Sequence, residues 1–250
     1  MTGRLAQVFP AAKPILGMLH LAGTSPEDRL ARALREMDLM IRGGVDGLVV
    51  ENYFGTPDDV RRLLDAFAAR SPAAVVGLNL LRDFRLGFDL LRDYGLAFLQ
   101  IDSVAGHLPP DQDADYAAEL AERRAGLPGA LLLGGVRFKY QPVASGRSEE
   151  EDLRLGRARA DAIVVTGAGT GQATDDDKIA RFRRVLGADY PLIIGAGMTA
   201  ESAARQLALA DGAIVGSYFK DSHRDTGEVD LAHVQALMGQ VRALRQGCGR

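Results

Sequence analysis

Cysteine is almost missing from this chain of 250 residues: Cys248 stands alone. A lone thiol closes no internal disulfide, and one so near the end of the chain makes a poor nucleophile. No apolar run reaches the length of a membrane span. Met1–Ala12 holds one Arg and no hydrophobic stretch of the secretory kind, so a cytoplasmic location is expected. Neither sign of charge dominates; the net charge of −3 argues against a broad nucleic-acid footprint. Several motifs are missing as well: no H-x-H or H-E-x-x-H, no G-x-S-x-G elbow, no P-loop Lys-Ser/Thr pair and no dinucleotide fingerprint. Redox chemistry and a cofactor are therefore not expected. No metal cluster is evident, although His20, Glu51 and Asp102 could converge in space on a divalent ion. Lysine is scarce too. Of 30 basic residues only Lys13, Lys139, Lys178 and Lys220 are lysines, which marks each for attention.

What is present suits a globular protein with a large core: 47% of residues are hydrophobic and 25% charged. Short, nearly uninterrupted apolar runs recur at Ile15–His20, Gly47–Glu51, Ala74–Leu80, Ala97–Asp102, Leu131–Phe138, Ala162–Thr166, Leu192–Gly195 and Ala213–Gly216. Strands buried on both faces of a parallel sheet read this way. Amphipathic stretches separate them. Ser25-Pro26-Glu27-Asp28 and Thr56-Pro57-Asp58-Asp59 are helix starts, Gly43-Gly44 is a stop, and Thr199 and Asp230 open the last two helices. Gly146–Arg159 carries the weakest helical pattern. Eight such strand–helix units predict an α/β protein, a single (β/α)8 barrel over residues 1–250, with 1–12 a short arm and 247–250 a frayed tail.

In such a barrel, function collects on the loops after the strand C-termini, and phosphate is often held after strands seven and eight. Gly195-Ala196-Gly197 and Gly216-Ser217 close those two runs. Their spacing predicts an anion clamp of Gly195, Gly197, Gly216 and Ser217, with backbone N–H groups as donors. Other strand ends are polar: His20, Glu51-Asn52, Asn79 with Arg82, Gln100 and Asp102, Lys139, and Thr166-Gly167. Glu51 and Asp102 are the expected acid and base, with pKa values set apart by burial and charge; the alternative is a structural network with Lys139 or an Arg. His20 is expected to polarise the substrate or shuttle a proton, or else to cap the barrel. Lys139 is expected to hold an anion, with Schiff-base chemistry as an alternative. Asn52, Asn79, Arg82, Thr166 and Gly167 are expected to bind substrate. Lys220, just past the last turn, is expected to support the anion or the surface.

In combination, Gly17-Met18-Leu19-His20, Val50-Glu51-Asn52, Gly77-Leu78-Asn79 with Arg82, Val136-Arg137-Phe138-Lys139, Val164-Val165-Thr166-Gly167 and Gly195-Ala196-Gly197-Met198-Thr199 resemble the BtpA/SgcQ family over nearly the whole chain. The resemblance implies a TIM barrel of ribulose-phosphate-binding type. One member is named for photosystem I biogenesis and others are associated with carbohydrate operons, so it carries over no reaction. The chain departs from the family pattern at Leu99-Gln100-Ile101-Asp102 and in a Pro- and Asp-rich loop from Ser103 to Asp115, which implies a different substrate. The expected function is an enzyme acting on a phosphorylated sugar or sugar-nucleotide fragment, by lyase, isomerase or glycosyl-bond chemistry. Its rival is a non-enzymatic assembly or stability factor that binds a ligand or protein. The expected partner is a phosphorylated small molecule, with a homo-oligomer as an option.

Overall fold

The computed structural model describes residues 3–70 and 74–247. Eight strands close into one parallel barrel in chain order, with β1 paired to both β2 and β8. They are β1 Ile15–Leu19, β2 Gly47–Glu51, β3 Val75–Asn79, β4 Phe98–Ala105, β5 Leu131–Val136, β6 Ala162–Val165, β7 Leu192–Ile194 and β8 Gly212–Val215. The helices are α1 Arg4–Val8, α2 Pro26–Gly43, α3 Pro57–Arg70, α4 Phe84–Asp93, α5 Pro110–Ala125, α6 Glu149–Arg159, α7 Asp176–Leu186, α8 Ala200–Leu209 and α9 Leu231–Gly247. This is a (β/α)8 TIM barrel. No helix among the described residues is long and apolar enough to cross a membrane.

Side chains of a strand alternate between its two faces. One set, with Leu16, Met18, Val49, Phe98, Leu133, Val164, Ile193 and Ile214, fills the barrel interior. The other packs against the helices in a larger cluster that includes Leu48, Val50, Leu78, Leu99, Ile163 and Val215. Continuing the inward set toward the strand C-termini leads to His20, Glu51, Asn79 and Gln100. The apolar interior thus ends in a polar layer, all four residues being buried.

Helix starts follow the sequence signals. Ser25 Oγ accepts from Asp28 N–H, Thr56 Oγ1 from Asp59 N–H, and Thr199 Oγ1 from Ser202 N–H. The stretch read as weakly helical forms α6 behind a reciprocal Ser148–Glu151 capping box. At the opposite rim an Asp precedes three strands. Asp46, Asp161 and Asp211 accept from the N–H groups of Ile15, Leu132 and Leu192 at 2.8, 2.8 and 2.9 Å, each also bonded to an Arg.

Three expectations change. The N-terminal arm contains α1, whose Leu5, with Phe9 just beyond it, plugs the barrel floor; the Phe9 ring lies 5.8 Å from that of Phe98. Tertiary burial holds this five-residue helix, which is too short to form alone. Gly247 ends α9 instead of starting a frayed tail, and residues 248–250, with Cys248, lie outside the described residues. Finally, β4 continues to Ala105 and α5 starts at Pro110, so most of the expected loop Ser103–Asp115 is regular structure.

Candidate active site

A cavity of about 910 Å³ opens at the strand C-termini. Its walls include His20, Glu51, Asn79, Asp102 and Lys139, together with Gly195, Gly197, Gly216 and Ser217 of the turns after β7 and β8. At its centre β2 and β3 pair Glu51 with Asn79. The Asn79 side-chain amide donates to Glu51 Oε1 at 2.8 Å and to Asp102 Oδ1 at 3.0 Å. One amide therefore clamps two carboxyl groups, and both its hydrogens are engaged. Burial pushes Glu51 from 4.5 up to about 7, aided by the Asp102 charge and opposed by Lys139 and Asn79. Burial also raises Asp102, against hydrogen bonds from Asn79 and Gln100 and the charge of Lys139. Glu51 is thus poised to gain or lose a proton near neutrality.

His20 is 4% exposed, with Nε2 3.9 Å from Glu51 Oε2 and its ring 5.3 Å from that of Tyr53. Burial, then the charges of Lys220, Lys139 and Arg32, pull it from 6.5 down to about 3. The ring is neutral at physiological pH, so its contact with Glu51 is not an ion pair. Proton shuttling through an imidazolium, one of the expectations for His20, does not fit this environment. A neutral hydrogen-bonding role does. Lys139 is half-buried, its ammonium 5.8 Å from the Phe138 ring centre, and it pairs with no carboxylate among the described residues.

The two glycine turns face the same cavity. Among the described residues, the N–H groups of Gly197, Met198, Ser217 and Tyr218 donate to no main-chain carbonyl. Ser217 opens a 3-10 turn, Ser217–Phe219. The glycines themselves answer to protein neighbours. Gly197 has φ 70° and lies under the Gln172 carbonyl, which a Cβ would meet at 2.1 Å. A Cβ on Gly216 would lie 2.6 Å from His20 Cε1.

Several expected ligands lie elsewhere. Asn52 follows the inward-facing Glu51, does not line the cavity, and accepts from Leu81 N–H at 2.7 Å. Thr166 accepts from Lys139 N–H at 2.9 Å through its hydroxyl and from Lys178 Nζ at 2.8 Å through its carbonyl. It braces the loop that carries Lys139. Gly167 packs under the Ala173 carbonyl, away from the cavity wall. Arg82 does line the cavity, exposed and at φ 68°. Lys220 is 1% exposed and pairs with Glu36 at 2.7 Å between α2 and the turn after β8. It is not a surface lysine, and it does not line the cavity. No cluster of three or more His, Cys, Asp or Glu among the described residues is arranged to hold a metal ion.

The sequence reading missed the mouth. Tyr53 meets Thr170 Oγ1 at 3.4 Å, and the exposed Tyr140 hydroxyl accepts from Thr170 N–H at 2.9 Å, bringing three loops together over the turns. It also missed Ser103 and His107 on the cavity wall. No local pattern marks Ser103, because its orientation depends on pairing with a neighbouring strand.

These features can now be set beside known proteins. The BtpA family model matches residues 11–243. An uncharacterized protein of Pyrococcus horikoshii is 27% identical, covering 94% of this chain and 98% of its own. The photosystem I biogenesis protein BtpA of Synechocystis is 25% identical, covering 97% of this chain and 92% of its own. Among solved structures, phosphoribosyl anthranilate isomerase from Thermus thermophilus matches with a TM-score of 0.59 at 17% identity, over 92% of this chain and 99% of that one. Thiamine phosphate pyrophosphorylase from Pyrococcus furiosus matches with 0.61 at 13% identity, over 96% and 98%. At such identity the structural likeness speaks for the barrel alone. The family model spans nearly all of the barrel, from before β1 into α9, and on that ground the chain belongs to the BtpA family.

Proposed function

We propose that this protein is an enzyme acting on a phosphorylated sugar or sugar-nucleotide fragment. One observation carries the reading: a single cavity joins free main-chain N–H groups after β7 and β8 to the Glu51–Asn79–Asp102 cluster. Oriented N–H groups at such turns are anion ligands. A carboxyl group held near pH 7 is suited to both halves of a proton transfer. The names of the two structural neighbours, an isomerase and a pyrophosphorylase, both speak of phosphorylated compounds and support the same class.

In this scheme Ser217 and the N–H groups of Gly197, Met198 and Tyr218 hold the phosphate. Glu51 takes a proton from the sugar and returns it to the product. Asp102, kept in place by Asn79, shares that proton traffic. The Lys139 ammonium offsets negative charge developing on an enolate or leaving oxygen. Neutral His20 orients a hydroxyl or carbonyl by hydrogen bonding. The chemistry is that of a lyase, an isomerase or a glycosyl-bond enzyme.

The name of the Synechocystis relative supports a second reading, a non-enzymatic assembly factor that retains the barrel. A thermal-shift screen of sugar phosphates separates the two. The enzyme reading expects a ligand-dependent rise in Tm that Gly216→Asp abolishes, and turnover of that ligand that Glu51→Gln and Lys139→Ala abolish. A protein that no sugar phosphate stabilises, and that co-purifies with a protein partner, is an assembly factor.

A further inference from the structure

Strand β4 departs from regular alternation near its C-terminal end, where the ladder to β5 shifts register. Gln100, Ile101, Asp102 and Ser103 all line the cavity, although consecutive residues of a regular strand face opposite sides. The ladder explains this. Ile101 pairs with Gly134 and Ala105 with Val136, so β4 carries two more residues than β5 over the same span. Such bulges re-aim side chains beside functional sites. The carbonyl of Asp102 occupies the space where a Cβ on Gly135 would sit, 2.0 Å away. The Tyr116 hydroxyl donates to the Ser103 carbonyl at 2.7 Å and pins the distortion from α5.

Around the bulge the cavity wall holds polar atoms that the protein leaves unused. Gln100 Oε1, Ser103 Oγ and His107 Nδ1 are buried and have no hydrogen-bond partner among the described residues. Gln100 and Ser103 are 3% and 5% exposed, and all three residues line the cavity. A buried polar atom without a partner is destabilising, so three along one wall point to a ligand. We propose that Gln100, Ser103 and His107 form a second binding element, which receives the hydroxyl-bearing end of the substrate. This rests on the phosphosugar reading above. In the closed order of strands β4 lies across the barrel from β8, so the element faces the anion turns. At Gln100 its partner must donate, because Oε1 only accepts, and the carboxyl groups of Asp102, Asp111 and Asp115, which also line the cavity, repel an anion there. Neutral hydroxyls meet that demand and a second phosphate does not.

The test is calorimetry on the full chain with three probes: inorganic phosphate, unphosphorylated ribose, and a panel of tetrose, pentose and hexose phosphates. At least one sugar phosphate is expected to bind more tightly than inorganic phosphate. Ser103→Ala and Gln100→Met are each expected to weaken that sugar phosphate by roughly threefold to tenfold, the range for one neutral hydrogen bond, while leaving inorganic phosphate unchanged. Ser103→Ala is also expected to leave the ligand-free Tm unchanged or raise it, because it removes an unpaired buried hydroxyl. A lowered Tm would make Ser103 structural and overturn the proposal. No gain from the sugar, or a gain that both variants keep, overturns it too, while leaving the anion turns standing. Ribose binding that the variants weaken, with no binding of inorganic phosphate, retains the β4 element and removes the phosphate reading.

Discussion

Asn79 donates to Glu51 across 2.8 Å, between residues that are partners in the β2–β3 ladder. The bond favours the charged carboxylate and so works against burial, which drives Glu51 toward the acid form. Asn79→Leu removes this donor and the one to Asp102. The Glu51 midpoint is then expected to move above about 7, and the acidic limb of a pH–rate profile should move with it. A carbon-13 titration of Glu51 in both proteins checks the shift; an unchanged midpoint contradicts the clamp.

Stability should respond to pH through the same residue. Between 4.5 and about 7 the folded protein keeps a proton on Glu51 that the unfolded chain has released, so this group lowers stability as pH rises through that window. The full effect is about 3 kcal/mol. His20 acts in the opposite sense. Between about 3 and 6.5 the unfolded chain binds the proton that buried His20 refuses, so its contribution is lost as pH falls. Glu51→Gln removes only the first effect. Urea unfolding should show the variant equal to the parent near pH 4.5 and more stable by up to about 3 kcal/mol at pH 8. A difference that does not vary with pH contradicts the raised midpoint.

Turnover should fall where stability rises. Once a substrate is found, Glu51→Gln is expected to reduce kcat by roughly 10²- to 10⁴-fold, the usual contribution of a positioned acid–base group. Steady-state kinetics decide the matter, and a variant within a few-fold of the parent removes Glu51 from the chemistry.

Lys220 should matter for folding alone. Its ammonium is buried against Glu36, which also accepts from Arg32 Nε at 3.0 Å. Lys220→Met leaves a buried carboxylate with one partner fewer and is expected to cost about 3 kcal/mol. The double variant Glu36→Gln, Lys220→Met should recover most of that loss in urea unfolding. If Lys220→Met instead keeps its stability and loses anion binding, the lysine belongs to the site after all.

The barrel was legible because its apolar runs are short, evenly spaced and divided by clear helix starts. The inward set ending in His20, Glu51, Asn79 and Gln100 was legible for the same reason. Alternation also excludes Asn52 once Glu51 faces inward, a consequence that the adjacency of two polar residues obscured. Ser103 was not legible. Its orientation depends on a bulge that Gly135 of a neighbouring strand permits, and local patterns do not carry such long-range pairing. The same holds for α1, which is held by packing on the barrel floor and by Arg4 bonded to Asp161, and for Lys220, whose partner Glu36 lies on a helix 184 residues away.

A crystal structure of the protein with a sugar phosphate tests the central claim most directly. The phosphorus is expected between the turns at Gly197 and Ser217, with the sugar extending past Glu51 and Asp102 toward β4. A phosphate bound away from both turns, or a sugar held out of reach of Glu51, contradicts the account.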